Sequence, residues 1–234
     1  MSKDAKSKCL EDLKRRILSM DLQPGSDLDE AKLSAQYGIS RTPFREVLQR
    51  LSGEGYIRLQ ANRGAKVASM DLPTMRVFFQ TAPLVYSNIS YLAAENRTSE
   101  QLDMLKELQV KFAQATKHLD PNKSAITNFL FHELIGQMAH NSYLMACMDR
   151  LLIDHTRLSQ TFYRPAESAE EALIGKAVEQ HDALITAIEA RESALAMELT
   201  LQHWDLSRDR MERFVRPDPL PANVVSLEEL QNAV

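Results

Sequence analysis

The chain has 234 residues, of which 44% are hydrophobic, so it is long and apolar enough for two ordinary domains with their own cores. With a net charge of −4 and a pI of about 5.9, the chain as a whole lacks the excess of basic residues that is typical of nucleic-acid-binding proteins. No stretch approaches the roughly eighteen apolar residues of a membrane span, and the N-terminus is polar and lysine-rich. We therefore expect a cytoplasmic protein with no membrane partner.

Charge is distributed unevenly along the chain. Residues 1–70 contain 13 Lys and Arg against 9 Asp and Glu (net +4), whereas residues 71–234 contain 15 against 23 (net −8). The cations are thus concentrated in the part that could bind nucleic acid, and the acidic remainder would keep the protein soluble. Cys9 and Cys147 share no C-x-x-C spacing, so neither a disulfide framework nor a zinc knuckle is predicted.

Two helices joined by a tight turn are predicted near the N-terminus. The first is an amphipathic segment from Leu28 to Tyr37, and Gly38 supplies the turn. The second runs from Arg41 to Leu51, with Thr42 as the expected N-cap and Pro43 at the first helical position, where no N–H is needed. Its apolar face comprises Phe44, Val47, Leu48 and Leu51, whereas Arg41, Arg45 and Gln49 project from the opposite side.

Two short strands are predicted after this helix, at Tyr56–Leu59 and Ala65–Ala68. The tip between them carries Arg63 and the permissive Gly64. A helix, a helix-turn-helix and a two-stranded wing together predict a winged helix-turn-helix. An amphipathic helix with two arginines is also common as a solvated surface helix, but the turn before it and the wing after it favour DNA binding.

The run from Pro24 to Val67, above all the motifs SRTPFREVLQRL and NRGAKV, resembles the DNA-binding domain of the GntR family of bacterial transcription regulators. The family often has a further basic residue where this chain has Ala31, so one phosphate contact would be missing. Gln49 faces the same side of the helix as the arginines. The residues that the resemblance implies for contacts with double-stranded operator DNA are Arg41, Thr42 and Arg45 of the recognition helix and Arg63 and Gly64 of the wing.

The sequence becomes almost wholly helical after residue 71. We predict a winged helix in residues 1–70, a linker in 71–79, an all-α antiparallel helical bundle in 80–215 and a proline-bearing, flexible tail in 216–234. The fold class is thus mainly α, and Pro83 should kink or split the first helix of the bundle. The helices are expected at Thr74–Thr98, Ser99–Leu119, Lys123–Ala139, Ser142–Tyr163, Ser168–Ala190 and Glu192–Val215.

Four polar side chains on three of these helices could converge on one metal ion. Asn128 and His132 are four residues apart on one helix face, and His181 and His203 lie in the last two helices. The alternative is that each histidine is an ordinary polar residue of a helical core. The other histidines have no partner at ligand spacing and are expected to be structural or surface residues: His118, His140 and His155.

These positions, within residues from about 75 to 215, also resemble the ligand-binding domain of the FadR-type GntR subgroup. Its metal-binding members use Asp-x-x-x-His followed by two more histidines, which implies a divalent metal held by Asn128, His132, His181 and His203. Asn128 departs from the pattern, because an amide can coordinate a metal but brings no negative charge. Three imidazoles and an amide suit a transition metal better than calcium, with zinc expected first and nickel or manganese next.

The same resemblance implies a small organic acid as effector, with its carboxylate on the metal. Many relatives carry an arginine in the first helix of this domain, where it can clamp a carboxylate, but this chain has Pro83 there. Arginines and tyrosines on helices often only cover a domain surface. Possible substitutes for the clamp are Arg157 and Arg164, with Tyr86 and Tyr163 for hydrogen bonding.

Together these patterns predict a ligand-responsive transcription regulator, in the first place a repressor, which binds a pseudo-palindromic operator as a homodimer. A metal-dependent hydrolase with a three-histidine site is the alternative. Against it, Glu133 points about 100° around the helix from His132, and no H-E-x-x-H motif occurs. A purely structural helical adaptor would have no use for Arg41, Arg45 and Arg63 together. We therefore predict that the protein is not an enzyme.

Overall fold

The structure is a computed structural model that describes residues 3–60, 64–166 and 168–215. The first elements in chain order are α1 (Lys3–Leu18), β1 (Asp27–Leu28), α2 (Glu30–Gln36), α3 (Arg41–Gly53), β2 (Ile57–Gln60) and β3 (Gly64–Val67). The strands form an antiparallel sheet in the order β1-β3-β2, and apolar side chains of the sheet and of α1, α2 and α3 share one core. The predicted winged helix-turn-helix is confirmed.

The start of the recognition helix α3 differs from the prediction. Thr42 is not the N-cap, because the helix begins at Arg41 and Ser40 holds the N-cap position with extended angles (φ −73°, ψ 167°). The Phe44 N–H donates to the Ser40 carbonyl at 3.2 Å. Pro43 is therefore the third helical residue, still within the first turn, where an N–H would have no partner inside the helix. The predicted apolar face is buried.

The wing has a third strand that the sequence did not predict. Leu28 was expected to begin a helix, but Asp27 and Leu28 pair with Lys66 and Ala65 of β3. Helix α2 starts only at Glu30, because the Asp29 carboxylate accepts a hydrogen bond from a backbone N–H of its first turn at 2.9 Å. A two-residue strand is too short to show an alternating pattern, so only its pairing with β3 reveals it.

In the described residues, six further helices form the predicted helical bundle: α4 (Leu72–Asn96), α5 (Ser99–Lys117), α6 (Pro121–Met138), α7 (Ser142–Phe162), α8 (Ser168–Glu189) and α9 (Ser193–Val215). Helix α4 lies at the centre of the bundle, in contact with α6, α7, α8 and α9. Three pairs of helices that follow each other in the chain also pack together: α5 with α6, α6 with α7, and α8 with α9. None of the helices in the described ranges is both long and apolar enough to cross a membrane.

Helix α4 is continuous through Pro83, so the expected split does not occur. Buried side chains on both sides of the proline, Ala82 and Tyr86, anchor the two halves in the same core. The segment predicted as a linker, 71–79, is helical from Leu72 onward, because Asp71 caps the helix through the Thr74 N–H at 3.0 Å. The domain boundaries at 70 and 80 stay predictions, and the tail from 216 lies outside the described residues.

Helix α7 joins the bundle to the winged helix. Its Arg157 guanidinium donates to the backbone carbonyl of Ala68 at 2.7 Å, and Gln160 donates to the carbonyl of Leu18 at 3.2 Å. Ile153 is 1% exposed and belongs to the core of the winged helix. Helix α7 is thus anchored to the winged helix by two hydrogen bonds and a buried side chain.

Replacing Phe44 with alanine should lower the free energy of unfolding by about 3–5 kcal/mol, because the ring is 1% exposed in the core beneath α3. Arg45→Ala, the exposed neighbour on the same helix, should change it by less than about 0.5 kcal/mol. Urea unfolding followed by circular dichroism measures both. Equal effects of the two substitutions would contradict the packing described for α3.

Candidate metal centre and nucleic-acid interface

Three histidines from separate helices meet inside the bundle. His132 of α6, His181 of α8 and His203 of α9 place one possible ligand atom each within 4.8 Å of one another. They are 3%, 0% and 9% exposed, so water hardly reaches them. The predicted convergence of these three residues is therefore present in the structure, and the group could hold a metal ion.

The hydrogen bonds around His181 determine which ring nitrogen is free. The Gln109 amide nitrogen donates to the Val178 carbonyl at 3.0 Å and to the Asp182 carboxylate at 2.9 Å, which fixes the orientation of that amide. Its oxygen therefore faces His181 Nδ1 at 3.1 Å and must accept a hydrogen bond from the N–H at that position. His181 Nε2 is left with a lone pair, and Phe131 stacks on the ring at 3.9 Å and holds it in place.

His203 faces this lone pair. Its Nε2 lies 3.2 Å from His181 Nε2, while its Nδ1 lies 3.1 Å from the Gln180 side-chain oxygen. If both Nδ1 atoms carry the proton, two lone pairs point at each other, which is unfavourable without a cation between them. Two nitrogens bound to one tetrahedral zinc ion lie about 3.3 Å apart, given Zn–N bonds of about 2.0–2.1 Å. The observed separation fits a shared metal.

Asn128 and His132 supply further unpaired atoms. Asn128 is 2% exposed and lies one turn before His132 on the same face of α6. Asn128 Oδ1 and His132 Nε2 are both buried without a hydrogen-bond partner among the described residues. Buried polar atoms are rarely left unsatisfied in native proteins. A metal ion bound by both atoms would remove this cost, so the donor set fits the ion that the sequence predicted.

Burial keeps these histidines neutral. Desolvation lowers the pKa of His203 from 6.5 to about 4. It also holds the pKa of His132 and of His181 well below 6.5, and the neighbouring imidazoles add to the effect because a second positive charge would be repelled. Neutral imidazoles have lone pairs free for a metal, and this is the state in which histidine acts as a ligand.

A small cavity of about 10 Å³ borders the cluster, with space for a single water molecule or ion. An organic acid does not fit into this conformation. Sequence analysis missed His155, which lines the cavity and whose Nδ1 lies 3.0 Å from the Tyr86 hydroxyl. The signal available in the sequence was the run of four polar residues at 154–157 within a long helix, and the structure buries all four. The other lining residues are His132, His203, Thr200 and Trp204.

Of the four residues predicted for effector binding, only Tyr86 lines this cavity. Arg157 is fully buried elsewhere, paired with Asp154 and bound to the winged helix. Tyr163 is buried against Phe112, with ring centroids 5.8 Å apart. Arg164 is exposed after the end of α7. The expectation of an arginine clamp near the cluster is therefore not met by Arg157 or Arg164 in this conformation.

The predicted DNA-facing residues of α3 form one exposed surface. Arg41, Thr42, Arg45 and Gln49 are all exposed, and Arg45 makes a loose ion pair with Glu30 at 3.8 Å. Gly64 begins β3 with φ +80°, a left-handed conformation that favours glycine. Arg63 lies outside the described residues.

A winged helix-turn-helix joined to a helical bundle with a buried polar centre defines a two-domain DNA-binding regulator. The family model described as "Bacterial regulatory proteins, gntR family" matches residues 6–67, and the model "FCD domain" matches residues 87–206. The chain belongs to the GntR family of bacterial transcriptional regulators and carries an FCD effector-binding domain. Its members are regulators, so the hydrolase alternative is wrong.

Two relatives and one solved structure are similar to this chain over most of its length. The gluconate operon transcriptional repressor of Bacillus subtilis is 25% identical over 209 residues, which cover 86% of this chain and 82% of the relative. The transcriptional repressor GlaR of Escherichia coli is 25% identical over 197 residues, covering 82% and 88%. The structure of E. coli McbR/YncC superposes with a TM-score of 0.77 at 21% identity, covering 92% of this chain and all of that one, and shares its fold.

Proposed function

We propose that this protein is a cytoplasmic transcriptional repressor that binds a pseudo-palindromic operator as a homodimer. Its affinity for the operator changes when a metal-bound small molecule occupies the helical domain. The histidine cluster at the centre of the FCD domain is the observation that carries the proposal. Repressors among the relatives support the direction of regulation.

The exposed surface of α3 is proposed to read the operator. Arginine can bind guanine bidentately in the major groove, and glutamine can bind adenine in the same way. Arg41, Arg45 and Gln49 supply these side chains, Thr42 a hydroxyl for a phosphate, and Gly64 a wing backbone that can approach the minor groove closely. Arg63 is proposed to enter that groove from the wing tip.

The ligand is proposed to be a divalent transition metal, zinc first and nickel or manganese next, together with a small organic acid. The acid is the effector class that the resemblance implied, and it would need more space than the cavity of about 10 Å³ offers. It would therefore enter only after wall residues such as Thr200 and Trp204 of α9 shift. The protein would then have two conformations that differ at the cavity wall. A ligand that binds one of them better shifts the equilibrium towards it, as regulation requires.

Helix α7 is proposed to carry that change to the winged helix. His155 lines the ligand cavity beside Tyr86, and two residues later Arg157 binds the carbonyl at the base of the wing. A movement of α7 in response to the ligand would move Ala68 with it. Ligand and operator must then influence each other's binding reciprocally.

An exposed stripe on α4 is the proposed dimer interface. Val77 and Leu84 are seven residues apart on one face and are 60% and 67% exposed, which is costly for apolar side chains in water. Gln80, between them, is also exposed and offers hydrogen bonds. A second copy of the chain packed on this stripe would place two winged helices on one operator.

Arg45→Ala should weaken specific operator binding by about 1–3 kcal/mol, because one bidentate base contact is lost. Fluorescence anisotropy with DNA fragments from the protein's own gene neighbourhood measures the change. Lys117→Ala, which removes an exposed charge from α5, is the matched control and should bind normally. If the two variants bind operator equally well, or if native binding is independent of sequence, the DNA-reading role of α3 is refuted.

Ni²⁺ added in acetate buffer should bind the metal-free protein and quench the fluorescence of Trp204, the single tryptophan, which lines the cavity next to His203. At a hundredfold excess over Kd it should stabilise the fold by about 2.7 kcal/mol. His181→Ala should lose both effects, whereas His118→Ala, which removes an exposed histidine, should keep them. Equal responses from these variants would discard the assigned ligands.

Leu84→Glu should shift the protein towards monomers, because two buried carboxylates would face each other across the proposed interface. Light scattering coupled to gel filtration reports the mass. Val110→Glu, which alters a residue of α5 that is 56% exposed, is the control and should leave the mass unchanged. A native monomer, or a Leu84→Glu variant of native mass, would place the interface elsewhere or remove it.

A further inference from the structure

A second cavity, of about 590 Å³, lies between the winged helix and the helical bundle. Pockets that bind small molecules commonly measure roughly 300–1,000 Å³, so this one has room for a metabolite. None of the residues that line it lines the small cavity at the histidine cluster. Its walls include Lys14, Glu54 and Tyr56 from the winged helix and Phe129, Glu133 and Asp149 from the bundle.

Two carboxylates of this cavity have no cation bound to them. The basic residues of the walls are paired with other groups: Lys14 with Glu54 at 2.7 Å, and Arg150 with a further carboxylate of α7 at 3.0 Å. Within the described part of the chain, Glu133 and Asp149 make no ion pair, although they are close enough for their charges to repel each other. A cation bound between them would remove this repulsion.

The hydroxyl of Tyr56 is a third polar group of the walls. Tyr56 is 6% exposed and borders the cavity, but its hydroxyl makes no hydrogen bond to any described residue. Buried tyrosine hydroxyls usually have a partner. Burial raises the pKa of this hydroxyl, and the charges of Glu54 and Glu133 raise it further, so the oxygen lies near the carboxylates. An N–H group of a bound ligand could donate to this oxygen.

The walls suit an organic ammonium ion better than a metal ion. Among the described residues, only the three histidines form a group of possible ligands that is tight enough for a metal ion. Lys14 shows how this cavity holds an ammonium group, since its Nζ lies 2.7 Å from Glu54 and 5.5 Å from the centre of the Tyr56 ring. The half-buried ring of Phe129 offers an apolar surface to a carbon chain.

We propose that this cavity binds a small organic diamine, with one ammonium group on Glu133, the other on Asp149 and the carbon chain against Phe129. Two carboxylates without cations require two positive charges, which is why a diamine is the chemical class. The site is separate from the histidine cluster and needs no metal. A bound diamine would contact both domains and thereby stabilise their packing against each other.

The test is a calorimetric titration of the full chain with putrescine, a diamine of four carbons, at neutral pH and physiological ionic strength. The native chain should show one saturable site, and butylamine, which has a single ammonium group, should bind about tenfold or more weakly. Glu133→Gln combined with Asp149→Asn should raise the Kd of putrescine by about tenfold or more, because two charge-assisted hydrogen bonds are lost.

A matched control removes the same charge elsewhere. Glu179→Gln combined with Asp103→Asn alters exposed positions of α8 and α5 and should bind putrescine like the native chain. Tyr56→Phe keeps the ring but loses the hydroxyl, and should raise the Kd by about threefold or more. This single variant decides the question if the double variant at the cavity does not fold by circular dichroism.

Absence of saturable putrescine binding to the native chain would overturn the proposal, and this arm needs no variant. A folded double variant at the cavity with the native Kd would also overturn it, as would an equal loss of binding in the control. Displacement of putrescine by an equal concentration of Mg²⁺ would show a metal site instead. The titration contains neither DNA nor Ni²⁺, so its outcome does not depend on the operator or on the histidine cluster.

Discussion

The burial of three imidazoles in an apolar bundle is the constraint on which the helical domain depends. Polar atoms removed from water need hydrogen-bond partners. Gln109 is the partner of His181 Nδ1, Gln180 is the partner of His203 Nδ1, and Phe131 stacks on the His181 ring. The Nε2 atoms of His181 and His203 face each other. Such a centre lowers the stability of the fold when no ligand is bound, so we connect it with ligand binding rather than with packing.

Helix α7 lies between the helical bundle and the winged helix and contacts both. Its buried polar run makes two kinds of contact: His155 lines the cavity beside Tyr86, and Arg157 donates to the carbonyl of Ala68. Asp154 neutralises Arg157, so the guanidinium can be buried at the junction. Both contacts lie within one turn of a helix, and this proximity is the basis for our proposal that α7 connects the cavity with the junction.

The sequence predicted the parts of the site that follow a local period. Asn128 and His132 share a face of α6 because they are four residues apart, and the exposed and buried faces of α3 follow from the same rule. The strand β1, the N-cap at Ser40 and the helical start at Leu72 were missed, since each depends on a hydrogen bond or a pairing that sequence spacing does not show. The roles assigned to individual DNA-binding and metal-binding residues stay predictions.

By itself, the sequence determined the fold class, the family and the candidate ligands, because capping residues and helical periodicity act over one or two turns. Only the tertiary structure decided which polar residues meet. It placed His155 in the cavity wall and Arg157 at the domain junction, although the two are only two residues apart on α7. A helix turns about 100° per residue, so residues two apart lie on nearly opposite faces, and packing decides what each face contacts.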